Sequence, residues 1–296
     1  MPGKPTKPDR WHIGVIGGSG LAEGMGLDEA QEIEVGSPFG EPSGTVVTGW
    51  IEGVRCTFLA RHGAGHVLPP QEVNYRANID VLKRCGVTDL VALSAVGSLR
   101  EELAPGSFVA VDQFIDRTTG REGSFFGSGL VAHVSLADPV CPRLSGQVAS
   151  GAREAGATVH DAGCYVAISG PQFSTRAESA LYRQWGADVI GMTAMPEARL
   201  AREAELPYAL LGMITDWDCW REAEAGVEAG EILAVMQANA GLAREAVRRM
   251  AAGLPKKRSA SPIDRALDHA IVTAPAARDR RLALMLDAVA GRVLGG

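Results

Sequence analysis

The stretch Asp89–Gly97, DLVALSAVG, begins with an apolar run and ends in small residues. The run Asp89–Ser94 does not alternate between apolar and polar positions, so it predicts a strand that is buried on both faces. Trp11–Ile16 is a second such run, and the glycine-rich segment Gly17–Gly20, GGSG, follows it directly. Two buried strands that end in small, glycine-containing turns favour a parallel sheet with helices on its faces.

The rest of the sequence alternates between short apolar runs and helical patterns. Further strands are predicted at Thr45–Trp50, Val54–Ala60, Ser107–Ile115, Tyr165–Ile168, Asp188–Met192 and Pro207–Ile214. Helices are predicted at Gln71–Cys85, Thr175–Gly186, Ala194–Glu205, Glu228–Ala252 and Arg280–Leu294. This alternation predicts an α/β fold, a single domain with a twisted, mostly parallel mixed sheet flanked by helices.

Composition divides the chain into three parts. Residues 1–10 are rich in Pro and Lys and predict a disordered arm, whereas residues 11–254 carry the alternating pattern of the main domain. Residues 255–296 open with the polar break Pro255–Ser259 and predict a linker followed by a terminal helix. That helix has an apolar stripe, which requires a covering surface on its own domain or on a neighbouring subunit.

Bulk composition argues against several classes of function. Of the 296 residues, 46% are apolar and 22% are charged, which is ordinary for a globular protein. The net charge of −6 argues against nucleic acid as a partner. Without an apolar leader or a membrane-length apolar run, the chain is expected to be cytoplasmic and to have no membrane partner. The five cysteines are odd in number and lack metal-ligand spacing, so we expect reduced thiols and no metal site.

Three strand ends carry groups that suit a small anion. Gly17–Gly20 and Ser94–Gly97 offer hydroxyls and backbone N–H groups, and Ala60–Gly63, ARHG, offers a guanidinium beside an imidazole. Arginine and nests of N–H groups are donors that bind phosphate well. Each motif alone is more often an ordinary turn, a surface charge or a packed core imidazole. None of them completes a dinucleotide fingerprint or a P-loop.

A fourth strand end carries two carboxylates. Asp216 and Asp218 lie two positions apart, among indoles in Thr215–Trp220 and after the apolar run Pro207–Ile214. Taken alone, this pattern favours an aspartate that caps the next helix, beside a solvated one. The alternative is a base-binding pair, in which apolar walls and a like charge raise the pKa of one carboxyl until it donates a proton at neutral pH.

Eight ordered motifs together resemble the methylthioadenosine phosphorylase branch of the trimeric nucleoside phosphorylases. They are Ile13–Leu21, Ala60–Gly63, Val73–Asn78, Ser94–Leu99, Asp112–Thr119, Gly170–Ser179, Gly191–Glu197 and Thr215–Trp220. The resemblance extends from Ile13 to Leu254, and it implies a nucleoside phosphorylase-like fold with residues 11–254 as the phosphorylase domain. One departure is Gln172, where an arginine is common in the family.

The resemblance implies roles for individual residues. Phosphate would be held by Ser19, Arg61, His62, Ser94, Ala95 and Thr193. The nucleoside would be bound by Phe173, Ser174, Met192, Ala229, Ile232 and Leu233, and by His133 of the adjacent subunit. Asp216 would hydrogen-bond the purine N7 and Asp218 would stand near the 6-amino group, so these two are the expected catalytic residues.

The reaction that the resemblance implies is phosphorolysis of 5'-methylthioadenosine to adenine and 5-methylthioribose 1-phosphate, in purine and methionine salvage. Phosphate is a substrate, and no metal or organic cofactor is expected. The family also implies a homotrimer, or a hexamer formed by two trimers. The alternatives are a 6-oxopurine nucleoside or methylthioinosine phosphorylase, a NAD-dependent oxidoreductase and a non-catalytic binding protein. Similar 6-oxopurine enzymes favour Asn, and some have Glu, at the positions that Asp216 and Ser174 occupy here. Adenine is favoured, because a carboxylate accepts from a 6-amino group and repels a 6-keto oxygen.

Overall fold

The computed structural model describes residues 9–18, 25–221 and 229–295. Within these residues an eleven-stranded sheet is flanked by helices, which confirms the predicted α/β class. Six of the ten described strand pairs are parallel and four are antiparallel, so the sheet is mixed and mostly parallel as expected. Ser19 and the side chains of Ala229, Ile232 and Leu233 lie outside the described residues.

The strands are short, and nine of the eleven described follow predicted apolar runs, whereas those at Asp28–Ile33 and Val159–His160 were not predicted. In chain order the strands are β1 His12–Gly17, β2 Asp28–Ile33, β3 Val46–Ile51, β4 Val54–Ala60, β5 Asp89–Ser98, β6 Phe108–Val111, β7 Gln113–Arg117, β8 Val159–His160, β9 Cys164–Ile168, β10 Val189–Gly191 and β11 Tyr208–Asp216. The predicted hairpin is present, since β3 and β4 pair antiparallel across Glu52 and Gly53. Both turn residues have positive φ, as a tight hairpin turn requires.

Within the described residues, helices lie in four of the ten connections between successive strands. The helices are α1 Tyr75–Arg84, α2 Pro142–Glu154, α3 Arg176–Gln184, α4 Ala194–Glu203, α5 Ala229–Gly253, α6 Arg280–Met285 and α7 Asp287–Leu294, with short 3-10 turns at Pro262–Arg265 and Pro275–Ala277. Among the described helices, none combines the length and the apolar character that crossing a membrane requires.

Strand β5 is the centre of the sheet. Its first half pairs in parallel with β1, while its length from Leu90 to Gly97 pairs in parallel with β11. Its last two residues, Gly97 and Ser98, also pair antiparallel with β10. The carboxyl ends of β1, β5 and β11 therefore lie next to β10, where the strand order branches. In α/β sheets, ligands bind at branch points of this kind.

Successive residues of β5 enter two different cores, which explains its unbroken apolar sequence. Leu90 and Ala92 pack in the cluster that includes α1 and α4. Val91 and Leu93 pack in the cluster that includes α2 and α5. Because neighbouring side chains of a strand point to opposite faces, a strand with helices on both faces needs apolar residues at every position.

Two elements that the sequence predicts as continuous are each divided in two in the structure. The single strand predicted over Ser107–Ile115 is split into β6 and β7, which pair with different parts of the sheet. The break falls at Asp112, whose N–H donates to the Gly163 carbonyl at 3.2 Å and whose Oδ1 accepts from the Gly163 N–H at 3.1 Å. This reciprocal pair turns the chain from β11 toward β9.

The single helix predicted over Arg280–Leu294 is likewise split into α6 and α7 at the buried Leu286. On its apolar stripe, Leu286 and Val289 are buried in the core cluster, and Leu282, Met285 and Val293 are partly buried against it. Arg292 bonds the buried Glu205 at 2.7 Å, and Arg84 of α1 bonds Asp287 at 3.2 Å. The C-terminal helices are therefore anchored by ion pairs as well as by apolar contact.

Candidate active site

The residues predicted to bind phosphate and the purine base come from neighbouring strands. Arg61 and His62 follow β4, Ser94 lies within β5, Thr193 follows β10 and Asp216 ends β11. The order β4-β1-β5-β10, with β11 beside β5, brings these strand ends to one region. Residues far apart in sequence therefore converge at the branch point of the sheet.

Ser94 and Thr193 form a pair of buried hydroxyls. Their Oγ and Oγ1 atoms lie 3.1 Å apart, although the residues are separated by 99 positions. The Thr193 N–H donates to the Tyr165 hydroxyl at 3.2 Å, which fixes the backbone that carries this hydroxyl. Two hydroxyls at this spacing offer adjacent hydrogen-bond donors to one small oxyanion.

Arg61 lies in a buried ion pair that the sequence did not reveal. Its Nε donates to Glu197 Oε2 at 2.7 Å and its Nη2 donates to Glu197 Oε1 at 3.0 Å. The Tyr208 hydroxyl donates to the same Oε1 at 2.9 Å, and all three side chains are buried. The guanidinium is thus rigidly oriented, and its charge is compensated by a carboxylate. The sequence offered one signal for this role, since Glu197 is a single acidic residue in the apolar-rich segment after Thr193.

His62 is held in its neutral form. Its Nδ1 lies 2.9 Å from the Leu68 carbonyl, which only accepts, so Nδ1 carries the proton and Nε2 is left as an acceptor. Its ring stacks on His66 at 4.2 Å between centroids. Burial lowers the pKa of His62 to about 4, and the nearby Arg61 charge adds to the effect. A neutral imidazole of this kind suits the hydroxyl of a hydrogen phosphate.

Asp216 is oriented by hydrogen bonds from nearby residues. The Thr215 hydroxyl donates to Oδ2 at 2.6 Å, and the Asp218 N–H donates to Oδ1 at 2.8 Å. The register of β11 against β5 shifts between Ile214 and Asp216, an irregularity of the kind that redirects side chains next to active sites. Asp218 and Cys219 form a turn and no helix begins within 217–221, so the helix-cap interpretation of Asp216 has no support in the described residues.

Asp218 is the more buried carboxyl of the pair, with 7% of the residue exposed. Its φ of 53° is in the left-handed region, which is uncommon for a residue other than glycine. Burial is the main factor that raises the pKa of Asp218, and the Asp216 charge raises it further, against a hydrogen bond from Ser179. Asp218 is therefore a carboxyl that resists ionisation, and the base-binding interpretation requires one such carboxyl in the pair.

The predicted base-pocket residues lie beside this carboxylate pair. Cys219 Sγ donates to the Ser174 carbonyl at 3.2 Å, which joins the segment before α3 to the carboxylate turn. The Ser174 hydroxyl is buried, and it has no hydrogen-bond partner within the described part of the chain. Phe173 is 49% exposed, so its ring is open to contact a further group. Met192 lies across from this segment, because a Cβ on Gly170 would be 2.4 Å from Met192 Sδ.

His133 lies in the connection between β7 and α2. It is exposed on the segment 123–138, and its N–H donates to the Ala270 carbonyl at 2.8 Å. The adjacent Ala132 forms an antiparallel bridge with Ile271. The segment that carries His133 is therefore fastened to the C-terminal part of its own chain.

A mixed sheet with hydroxyls, an oriented arginine and paired carboxyls at its branch point defines an α/β protein that binds small polar ligands at its strand ends. A model of the Phosphorylase superfamily matches residues 12–252, and the chain belongs to that family. The resemblance that the sequence motifs indicated is thereby confirmed.

Individual relatives agree with this assignment. The chain is 57% identical over 286 residues to an S-methyl-5'-thioadenosine phosphorylase of Cereibacter sphaeroides, with 96% of this chain and 99% of the relative covered. It is similar to the crystal structure of a methylthioadenosine phosphorylase from an antarctic soil metagenomic library, with a TM-score of 0.87, 44% identity, and 95% and 99% of the two chains covered. A mutant Schistosoma mansoni adenosine/methylthioadenosine phosphorylase in complex with methylthioadenosine gives a TM-score of 0.76 and 38% identity, with 82% and 91% covered.

Proposed function

We propose that this protein catalyses phosphorolysis of S-methyl-5'-thioadenosine, which yields adenine and 5-methylthioribose 1-phosphate. The observation that carries the proposal is the juxtaposition of two strand ends. Asp216 ends β11 and Asp218 lies just beyond it, and the paired β5 holds Ser94 against Thr193. A base-binding carboxylate pair next to buried oxyanion donors is what a nucleoside and phosphate require together. The names of the related enzymes support the same substrate.

Phosphate is the nucleophile in this proposal. Ser94, Thr193 and the Ala95 amide would donate to its oxygens, Ser19 would add a hydroxyl, and Arg61 and His62 would complete the site. As the glycosidic bond lengthens, the sugar gains oxocarbenium character and phosphate attacks C1'. No enzyme nucleophile, metal or organic cofactor is needed, because the enzyme positions phosphate and stabilises the leaving base.

The leaving purine would be stabilised by the carboxylate pair. A proton shared between Asp216 and N7 neutralises the negative charge that develops on the base. Asp218 would accept from the 6-amino group, a contact that stabilises its ionised form when adenine is bound. A 6-keto base would be disfavoured, because an unpaired or repelled buried polar group is strongly rejected. Phe173 and Ser174 would line the base pocket, and Met192 would contact the ribose.

The 5' side of the pocket would be completed by the assembly. We place Ala229, Ile232 and Leu233 around the methylthio group, with His133 supplied by the adjacent subunit of a homotrimer. Two trimers in a hexamer would preserve the same shared site. The enzyme would act in the cytoplasm, in purine and methionine salvage.

A substrate panel tests the proposal. Methylthioadenosine, adenosine, methylthioinosine and inosine are each incubated with the enzyme, with and without phosphate, and base release is measured. We expect methylthioadenosine to be cleaved fastest and only with phosphate. Equal rates without phosphate would indicate a hydrolase, and faster cleavage of methylthioinosine would indicate a 6-oxopurine phosphorylase.

A further inference from the structure

Arg121 lies four residues beyond the end of β7, and neither the sequence motifs nor the proposed mechanism gives it a role. We propose that Arg121 is a positioning residue that holds the ribose–phosphate segment, residues 192–195, against the base segment, residues 169–174. This inference rests on the proposed function for its catalytic consequence. The clamp itself is a property of the fold.

The guanidinium of Arg121 binds both segments at once. Nη1 donates to the Met192 carbonyl at 2.7 Å and to the Met195 carbonyl at 2.6 Å, and Nη2 donates to the Ser169 carbonyl at 2.8 Å. The planar group also packs over the Tyr75 ring, 5.2 Å from its centroid. A rigid fork of N–H donors can reach three carbonyls in this way, whereas the single ammonium of lysine cannot reproduce its geometry.

The two clamped segments are in contact at the point where a substrate would meet them. Gly170 has a φ of 68°, and the Met192 side chain fills the space where any larger residue would place its Cβ. Met195 departs from helical geometry within the first turn of α4, so its carbonyl needs a partner other than the regular helix bond. Arg121 supplies that partner and fixes the backbone on both sides of Thr193.

Arg121 also differs from Arg61 in its charge balance. Arg61 is bonded by the carboxylate of Glu197, whereas the acceptors that Arg121 bonds are backbone carbonyls, which carry no net charge. Burial and Arg61 are the larger factors that lower the pKa of His62, and Arg121 contributes in the same direction. The clamp thus places a positive charge on the side of the site where the anion is expected.

Removal of the clamp should affect turnover more than folding. Small displacements of reacting groups cost roughly 10²-fold in rate, so Arg121→Ala should lose activity of that order. Methylguanidinium in the buffer should restore part of the lost turnover by refilling the vacated position. Arg121→Lys retains the charge without the fork, and it should remain impaired.

The experiment measures turnover, thermal unfolding and amide hydrogen exchange in the wild type, Arg121→Ala and Arg121→Lys. Arg153→Ala is the matched control, because Arg153 also donates to a backbone carbonyl, that of Val159, but lies at the end of α2. We expect faster exchange in residues 169–174 and 192–195 of both Arg121 variants and in neither segment of the control. This readout does not depend on the substrate, so it tests the clamp even if the wild type fails the phosphorolysis assay.

Three outcomes would overturn the assignment. These are turnover of Arg121→Ala within about twofold of the wild type, full activity of Arg121→Lys, or unchanged exchange in both segments. A purely structural role would lower the unfolding temperature and leave the turnover of the folded fraction intact, without rescue by methylguanidinium. Rescue of turnover at an unchanged unfolding temperature would support positioning.

Discussion

A Cβ atom on Gly97 would lie 2.9 Å from Oδ1 of Asp216. The two residues are register partners on β5 and β11, at the position where the register shifts. The same Cβ would be 3.1 Å from Ile190 on the opposite side, so neither neighbour leaves space for a side chain. Gly97 therefore permits the carboxylate of Asp216 to lie directly against the backbone of β5.

Gly97→Ala should displace the Asp216 carboxylate. That carboxylate is already bonded by Thr215 and by the Asp218 N–H, so it can yield only by losing one of these bonds. A shift of this kind should reduce kcat by about tenfold or more. Turnover of methylthioadenosine with saturating phosphate is the measurement. Gly36→Ala is the control, because nothing lies within 4 Å of its added methyl, and its kcat should equal that of the wild type.

Asp216→Asn should reduce turnover by roughly 10²-fold or more, because a positioned general acid typically contributes that much. The amide is similar in shape to the carboxyl, so the backbone turn should be retained. Single-turnover release of adenine is the measurement. The reduction should be smaller for a nucleoside whose base leaves without protonation at N7. A near-wild-type rate would show that Asp216 only orders the turn at Asp218 and Cys219.

Arg61→Ala should weaken phosphate binding and folding together, because Glu197 would be left buried without its partner. Breaking a buried ion pair on one side costs about 3–5 kcal/mol of unfolding free energy. Denaturant unfolding should show this loss, and the KM for phosphate should rise more than the KM for nucleoside.

The double variant Arg61→Met, Glu197→Gln separates the two effects. It removes both charges, so it should recover much of the unfolding free energy while the phosphate KM remains high. If phosphate KM recovered along with stability, Arg61 would be a structural residue without a role in anion binding.

Sequence patterns predicted those parts of the fold that depend on local periodicity. The strands through Ile13 and Leu90 and the hairpin at Gly53 are fixed by unbroken apolar runs and a turn. Helix α2 was missed because its Gly and Ser content lowers helix propensity. Gly151 is nevertheless required there, since a Cβ would lie 2.4 Å from the Ala246 carbonyl of α5. A tertiary contact thus outweighed the local signal.

The sequence predicted which residues would form the candidate site, but it did not predict which of their side chains would bond to each other or to other residues. The motifs indicated Ser94 and Arg61 as phosphate donors, and those roles remain predictions. That Arg61 is neutralised by Glu197, 136 positions away, is a product of topology that no local pattern contains. Arg121 escaped notice for the same reason, because its three acceptors are backbone atoms of distant segments.

Stability should fall as the pH drops from 6.5 to 4, with His12 as one identified cause. His12 is buried and its Nε2 lies 2.8 Å from the Thr57 hydroxyl. Burial, assisted by the Arg55 charge, lowers the pKa of His12 to about 4. In this window the unfolded chain binds a proton that the folded protein does not, so the free energy of unfolding decreases with falling pH by up to about 1.4 kcal/mol per pH unit.

Urea unfolding at several pH values checks this dependence. His12→Gln should reduce the slope between pH 6.5 and 4, and the exposed His269 provides the control His269→Gln. A His12→Gln slope equal to that of the wild type would show that other groups, such as the buried His62, account for the acid sensitivity.

The proposed shared site of a homotrimer predicts complementation between two impaired variants. His133 lies on the segment 123–138, which is joined to its own C-terminal segment through the bonds to Ala270 and Ile271. That attachment holds the exposed imidazole at a defined place on the surface, where a neighbouring subunit could use it. In a closed ring with a heterologous interface, each site would take Asp216 from one subunit and His133 from the next.

His133→Ala and Asp216→Asn are therefore unfolded together in equal amounts and refolded as mixed trimers. Random assembly pairs an intact Asp216 with an intact neighbouring His133 in about a quarter of all sites. Turnover should consequently exceed the mean of the two parent variants refolded separately. Differently tagged wild-type chains, refolded and co-purified in the same way, establish that subunits mix. If they mix and turnover stays at the parental mean, His133 does not complete a neighbour's site.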